Sequence, residues 1–145
     1  MKTLLFPGSF DPFTRGHAAL VRRALTLSER VVIAIGTNTA KKGCFSTDER
    51  IAAISAVFEN EPRVSVIAYE GLTTDLAQEI GAEAILRGVR SVKDFEYERD
   101  IADVNRQIAG IETIILFAEP QYAAISSSVV RELLHYGHDV SALLP

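Results

Sequence analysis

Phe6-Pro7-Gly8-Ser9-Phe10-Asp11-Pro12-Phe13-Thr14-Arg15-Gly16-His17 follows an apolar run, Thr3 to Phe6, and leads into an amphipathic stretch, Ala18 to Leu27. A strand has to stop here and a helix begin. Pro7 and Pro12 disfavour helix at the residues before them and withhold two N–H donors, while Gly8 and Gly16 lack a Cβ and open backbone conformations closed to other residues. The loop is stiff where it turns and bare where something must approach. The first N–H groups of the helix have no partner within it and carry partial positive charge, which makes an anion site with the His17 imidazole beside it.

Working outward, Ala18, Leu20, Val21, Ala24, Leu25 and Leu27 keep helical spacing, and Val31 to Ile35 is a continuous apolar run of the kind buried on both faces of a parallel sheet. The polar stretch from Gly36 to Gly43 carries Lys41 and Lys42. Ser46 with Glu49 reads as a capping box for a helix from Thr47 to Phe58. Further expected elements are a strand from Val64 to Ala68, a helix from Thr73 to Ile80 stopped by Gly81, and a short strand from Ala84 to Leu86. Arg87-Gly88-Val89-Arg90 then reads as a loop. A helix follows from about Phe95 to Ile108, with Phe95, Ile101, Val104 and Ile108 on its apolar side, then a strand from Glu112 to Phe117 and a helix from Ser128 to Tyr136. Strand and helix alternate along the whole chain, which predicts a single-domain α/β fold over residues 1–145 with a doubly wound five-stranded parallel sheet covered on both faces.

Length and composition fit that reading. The chain has 145 residues, 48% of them apolar, and a net charge of -4, enough to bury a real core. The longest apolar run falls far short of the roughly 20 residues that cross a bilayer, and Met1-Lys2 running straight into a strand does not resemble a signal peptide. A cytoplasmic protein without a membrane partner is therefore expected, and one cysteine, Cys44, which excludes an intrachain disulfide and a thiol zinc cluster, fits a reducing compartment; the acidic charge balance argues against a nucleic-acid partner. Neither GxGxxG after the first strand nor GxxxxGK[ST] is present, which argues against dinucleotide dehydrogenases and P-loop enzymes.

In such sheets ligands bind beyond the carboxyl ends of the strands, where strand order reverses. The unusual connections fall there: Ser9 to His17 after the first strand, Lys41-Lys42 after the second, Gly71 to Thr74 after the third, Arg87 to Arg90 after the fourth and Tyr122 to Ser128 after the fifth. Together they offer a hydroxyl, an imidazole, paired guanidinium groups and a serine run before a helix. These suit phosphate oxygens more than acid-base chemistry. His17 can donate to a phosphate oxygen, and Ser9 can bridge two reacting groups. Lys41 is a point charge with Arg87 as its forked companion. The helix start lowers the His17 pKa and a bound triphosphate raises it, so the sequence leaves its charge open. Ser126 to Ser128 read equally as a plain cap, and Glu98 as an ordinary solvated helix residue. His135 and His138 lie away from this rim.

Thr14-Arg15-Gly16-His17 matches the T/HxGH signature of the nucleotidyltransferase superfamily. PGSFDPFTRGH, Lys41-Lys42 with Phe45, LRGVRSVKDFEYE at 86–98, Asn105-Arg106 and ISSSVVREL at 125–133 together resemble the bacterial phosphopantetheine adenylyltransferases over nearly the whole chain. The resemblance implies a Rossmann-like α/β fold and adenylyl transfer from ATP to 4'-phosphopantetheine by direct in-line displacement. The products are dephospho-coenzyme A and pyrophosphate, in the penultimate step of coenzyme A synthesis. It also implies Mg²⁺ bound with ATP rather than by protein side chains alone, a homohexamer, and feedback by coenzyme A.

Carried over by position, the resemblance gives His17, Ser9, Lys41 and Arg90 the catalytic roles, and places Ser9, Lys41, Thr73 and Arg87 on the phosphopantetheine side. On the ATP side it places Ser9, Phe10, His17, Gly88, Val89, Arg90, Glu98, Tyr122, Ala123, Ala124, Ile125, Ser126, Ser127 and Ser128. Two alternatives stand beside it. A sibling of the superfamily, such as a nicotinamide mononucleotide adenylyltransferase or a cytidylyltransferase, shares Ser9 and His17 but not RGVR with DFEYE. A nucleotide-binding regulatory domain without chemistry has no need of Ser9, His17, Lys41 and Arg87 together.

Overall fold

The computed structural model describes residues 1–38 and 43–145. In chain order come β1 (Thr3–Gly8), α1 (Arg15–Ala24), β2 (Arg30–Gly36), α2 (Thr47–Val57), β3 (Val64–Tyr69), α3 (Thr73–Ile80), β4 (Ala84–Val89), α4 (Val92–Ala109), β5 (Glu112–Phe117) and α5 (Ser127–His135). Single 3-10 turns lie at Pro120–Tyr122 and Ser141–Leu143. The described strands form one parallel sheet in the order β3-β2-β1-β4-β5.

Alternate side chains of each strand enter opposite layers. Leu4, Phe6, Val31, Ile33, Ile35 and Leu86 pack with Val21 of α1 and Ile54 of α2, while Leu5, Val32, Ala34 and Ile85 pack with Leu76 and Ala77 of α3. Both faces of the sheet are therefore covered, which is why β2 is apolar from Val31 to Ile35. Thr14, Ser46, Ser91 and Ser126 each cap a helix by accepting the N–H three residues on, and Gly81 and Gly110, both at φ 68°, end two of them in the left-handed conformation.

The structure corrects several expected details. Ser46 caps α2 with its hydroxyl, but the reciprocal capping box is at Thr14 and His17 on α1. Gly8 and Gly16 have ordinary φ, and the left-handed residue of the first loop is Phe10, at φ 48°. Gly8 is needed for space instead, since a Cβ there would stand 2.9 Å from the Phe10 ring. On α4 the apolar side does not face the sheet: Ile101, Val104 and Ile108 are exposed, while the side chain buried on that helix is Glu98.

The order of strands makes β1 and β4 neighbours across the switch point. β1 pairs with β2 over six residues, but with β4 only at Leu4–Ala84 and Leu5–Ile85. Beyond that the two strands separate. The Thr3 carbonyl accepts from Glu83 on the β4 side and the Lys2 carbonyl from Arg30 on the β2 side, so alternation turns Pro7 toward β4. A proline is tolerated there because the ladder has already opened and no partner awaits its missing N–H.

Candidate active site

A cavity of about 320 Å³ opens where β1 and β4 part, lined by Pro7, Gly8, Ser9, Phe10, His17, Arg87, Gly88, Val89, Arg90, Tyr122, Ile125 and Ser126 to Ser128 among others. A second, of about 260 Å³, runs toward α3 and α4 past Gly36, Tyr69, Thr73, Glu98, Ile101 and Asn105. The two share Pro7, Gly8, Ser9 and Arg87. Ser9 and Arg87 thus stand at a junction between two compartments.

His17 is fixed from three directions. Its N–H is accepted by the Thr14 hydroxyl at 3.4 Å, and its Nδ1 accepts the Thr14 N–H at 2.9 Å. Phe13 stacks on its ring at a centroid distance of 5.3 Å, and Phe10 meets it edge-on at 5.1 Å. With Nδ1 holding a lone pair toward the backbone, the ring proton belongs on Nε2, which is then a donor. Burial first, then the charges of Arg87 and Arg90, lower the His17 pKa from 6.5 to about 4. The imidazole is neutral at physiological pH, the state that the sequence left open.

Arg87 lies on β4, not in a loop: that strand extends through Val89, so only Arg90 of the RGVR stretch follows it. Its Nε and Nη2 donate to the two carboxylate oxygens of Glu98 at 2.8 and 2.7 Å, and its Nη1 donates to the Pro7 carbonyl at 2.6 Å. The guanidinium therefore bridges the gap between the parted strands. Glu98, expected to be solvated, is 5% exposed and serves as Arg87's anchor. A buried carboxylate needs such a partner, and the fork supplies both of its oxygens. Arg90 pairs with Asp94 at 3.3 Å. Gly88 is required for space, since a Cβ there would overlap Leu20 Cδ1 from α1.

The serine run divides its labour. Ser126 caps α5, the Ser127 hydroxyl donates to the Pro12 carbonyl at 2.7 Å, and the Ser128 hydroxyl accepts from Arg131 Nη2 at 3.2 Å. The unpaired N–H groups of the first α5 turn remain as the anion cradle at this wall. Arg131, given no role by the sequence reading, also lines the cavity and donates to the Asp11 carbonyl at 2.9 Å. Its signal was its position one helical turn after Ser128.

Of the residues expected on the nucleotide side, Glu98 lines the second cavity, and Ala123 and Ala124 are absent from the walls of both. Thr73 lies in the second cavity, its hydroxyl 2.8 Å from that of Tyr69. Lys41 lies outside the described residues. Among the described residues no three His, Cys, Asp or Glu side chains are grouped to hold a metal ion, and the first cavity has arginines but no carboxylate on its wall. Such a wall suits a polyanion that arrives with its own cation.

The cytidylyltransferase-like family pattern matches residues 5–133. The phosphopantetheine adenylyltransferase of Phocaeicola vulgatus is 54% identical over 145 residues, which is 100% of this chain and 96% of that one. That decides the family. This chain is a member of the phosphopantetheine adenylyltransferase family. A second adenylyltransferase of that name, from Porphyromonas gingivalis, is 50% identical over 97% of this chain and 92% of its own.

The fold is also that of a bifunctional NMN adenylyltransferase/ADP ribose pyrophosphatase from Francisella tularensis, complexed with AMP and Mn ion. The two superpose at TM-score 0.73 and 18% identity, over 99% of this chain and 44% of that one. A lipopolysaccharide core biosynthesis protein from Thermoplasma volcanium matches at TM-score 0.57 and 20% identity, over 82% of this chain and 97% of its own. The phosphopantetheine adenylyltransferase family is a family of nucleotidyltransferases, so the enzyme class expected from PGSFDPFTRGH holds.

Proposed function

We propose that this chain transfers the adenylyl group of ATP to 4'-phosphopantetheine, giving dephospho-coenzyme A and pyrophosphate. The observation that carries this is the junction: two cavities, one ringed by arginines and a helix start, meet at Ser9 and Arg87. A nucleotide in the first and a phosphorylated acceptor in the second bring two phosphates face to face.

An oxygen of the acceptor phosphate attacks the α-phosphorus of ATP. The bond from the α-phosphorus to the bridging oxygen breaks, and its electron pair leaves with pyrophosphate. The attacking oxygen is already ionised, so no general base is required, and alignment with charge stabilisation supplies the rate. His17 donates from Nε2 to an α-phosphate oxygen while remaining neutral. Ser9 bridges the two reacting groups. Arg87, with Lys41 and Thr73, receives the acceptor, and Glu98 serves by holding Arg87's fork. Gly88, Val89 and Arg90 with the 122–128 segment take the nucleotide, with Phe10 shaping the floor under its phosphates. Mg²⁺ arrives as part of the ATP complex and offsets the charge of the triphosphate. This matches a cavity wall without carboxylates.

The same reading includes a homohexamer in the cytoplasm and return binding of coenzyme A, which carries the acceptor's arm. The exposed Tyr97, Ile101, Val104 and Ile108, which share one face of α4, support burial of that helix face in an assembly. The described helices include none long and apolar enough to cross a membrane.

The test is pyrophosphate release from ATP with a panel of phosphate acceptors. Release is expected with 4'-phosphopantetheine and ATP together. Equal rates with nicotinamide mononucleotide as acceptor, or with CTP as donor, would assign the chain to a sibling activity.

A further inference from the structure

Arg50, in the first turn of α2, reaches across to the first loop. Its Nη1 donates to the Ser9 carbonyl at 2.8 Å, while its Nε and Nη2 donate at 3.4 Å each to the Ser46 carbonyl and the Thr47 hydroxyl at the start of its own helix. The helix start aims the fork, and the loop receives it. Arg50 stands on neither cavity wall and instead lines a third hollow with Phe10, Pro12 and Phe13, so it meets the loop from behind.

The carbonyl it holds belongs to the Ser9–Phe10 peptide, and Phe10 is the residue at φ 48°. A non-glycine residue resists that conformation, and rotating this one peptide about its flanking Cα atoms would return φ to negative values. Such a rotation leaves the side chains nearly in place, so the contacts of the Phe10 ring with Phe6, Phe13 and His17 offer it little resistance. A hydrogen bond to the carbonyl opposes it directly. Because the peptide is trans, a carbonyl held toward α2 turns the Phe10 N–H the opposite way. Phe10 lines the first cavity and not the second, and among the described residues nothing accepts this N–H.

Resting on the adenylyl-transfer reading, we propose that Arg50 is a positioning residue for the nucleotide: it holds the Ser9–Phe10 peptide so that the Phe10 N–H, and not the Ser9 carbonyl, faces the phosphates. A free N–H donates to an anion, whereas a carbonyl oxygen in its place repels one. Arg50 itself touches no substrate.

The experiment compares Arg50→Met and Arg50→Gln, which keep a stem along α2 and take the fork away from Ser9. KM for ATP is expected to rise about 10-fold in both, with KM for 4'-phosphopantetheine within about twofold of the unsubstituted enzyme, because the rotation spares the Ser9 side chain. In the free protein the NMR resonance of the Phe10 amide nitrogen, which senses the hydrogen bond on the preceding carbonyl, is expected to move in both variants. Inorganic tripolyphosphate is expected to shift that resonance in the unsubstituted protein and much less in the variants. Equal rises in both KM values would mean general loosening and overturn the inference, as would unchanged kinetics in a folded variant or a Phe10 resonance that stays in place. Should one variant fail to fold, the other decides. Should the unsubstituted enzyme show no adenylyl transfer, the functional reading falls. The Phe10 resonance with tripolyphosphate still decides whether Arg50 holds that N–H toward an anion.

Discussion

Thr14 and His17 cap each other: the threonine hydroxyl takes the histidine N–H, and the histidine Nδ1 takes the threonine N–H. The position filled by Glu or Gln in an ordinary capping box is filled here by an imidazole. The same contacts that start α1 settle which ring nitrogen carries the proton. The side chain that starts the helix is thus the one that, in the proposed reaction, donates a hydrogen bond to the α-phosphate.

His17→Ala should remove that donor and lower turnover by on the order of 10² to 10³-fold, because a lost preorganised donor acts on the transition state. The fold should persist, with stability lower by about 1 kcal/mol from the lost half of the cap. Steady-state kinetics beside a melting curve separate the two. Normal turnover in a folded variant would remove His17 from the chemistry.

The His17 pKa of about 4 carries a pH signature. In the unfolded chain the imidazole takes a proton near pH 6.5, while in the folded chain it resists down to about 4. Stability from this group is therefore full above pH 6.5 and is lost as pH falls toward 4, by at most about 3 kcal/mol. NMR titration of the free enzyme should find His17 neutral at pH 5.5, and added ATP should move its midpoint upward. A midpoint near 6.5 in the free enzyme would contradict the buried, arginine-facing ring.

Arg87 and Glu98 form the most buried ion pair among the described residues, with side chains 30% and 7% exposed. Glu98→Ala frees the guanidinium, and Arg87→Ala strands the carboxylate. Each should cost on the order of 3 kcal/mol, while the double variant should cost less than the sum. Arg87→Lys keeps the charge but loses the fork, so KM for the acceptor should rise by about 10-fold or more. Denaturant unfolding gives the first result and kinetics the second. Additive losses would mean that the pair is not coupled.

Gly88→Ala places a methyl on Leu20 Cδ1. A stability loss of about 1 to 3 kcal/mol and a weaker KM for ATP are expected, from overpacking between β4 and α1. Adding Leu20→Ala should restore part of the KM while costing stability of its own. An innocuous Gly88→Ala, checked by melting temperature and KM, would show that the strand can shift at no cost.

Continuous apolar runs such as Val31 to Ile35, each followed by a helical period, carry the fold in one dimension. Alternation needs only local patterning to be visible. The Ser9 to His17, Arg87 to Arg90 and Ser126 to Ser128 clusters were legible too, because strand ends in a parallel sheet share one edge. The burial of Glu98 was not legible, since a glutamate on a helix reads as solvated until its partner eleven residues away is brought against it. Nor was the exposure of Ile101, Val104 and Ile108, because a periodic apolar side does not say which surface it meets.

By itself, then, the sequence determined the order of elements, their periods and the chemical groups at the rim, all properties of neighbouring residues. Only the tertiary structure decided that β1 and β4 part after Leu5 and Ile85, that Arg87 bridges the gap to Pro7, and that His17 is neutral with its proton on Nε2. Those outcomes depend on desolvation and on hydrogen bonds between segments distant in the chain, and neither exists until the chain has folded.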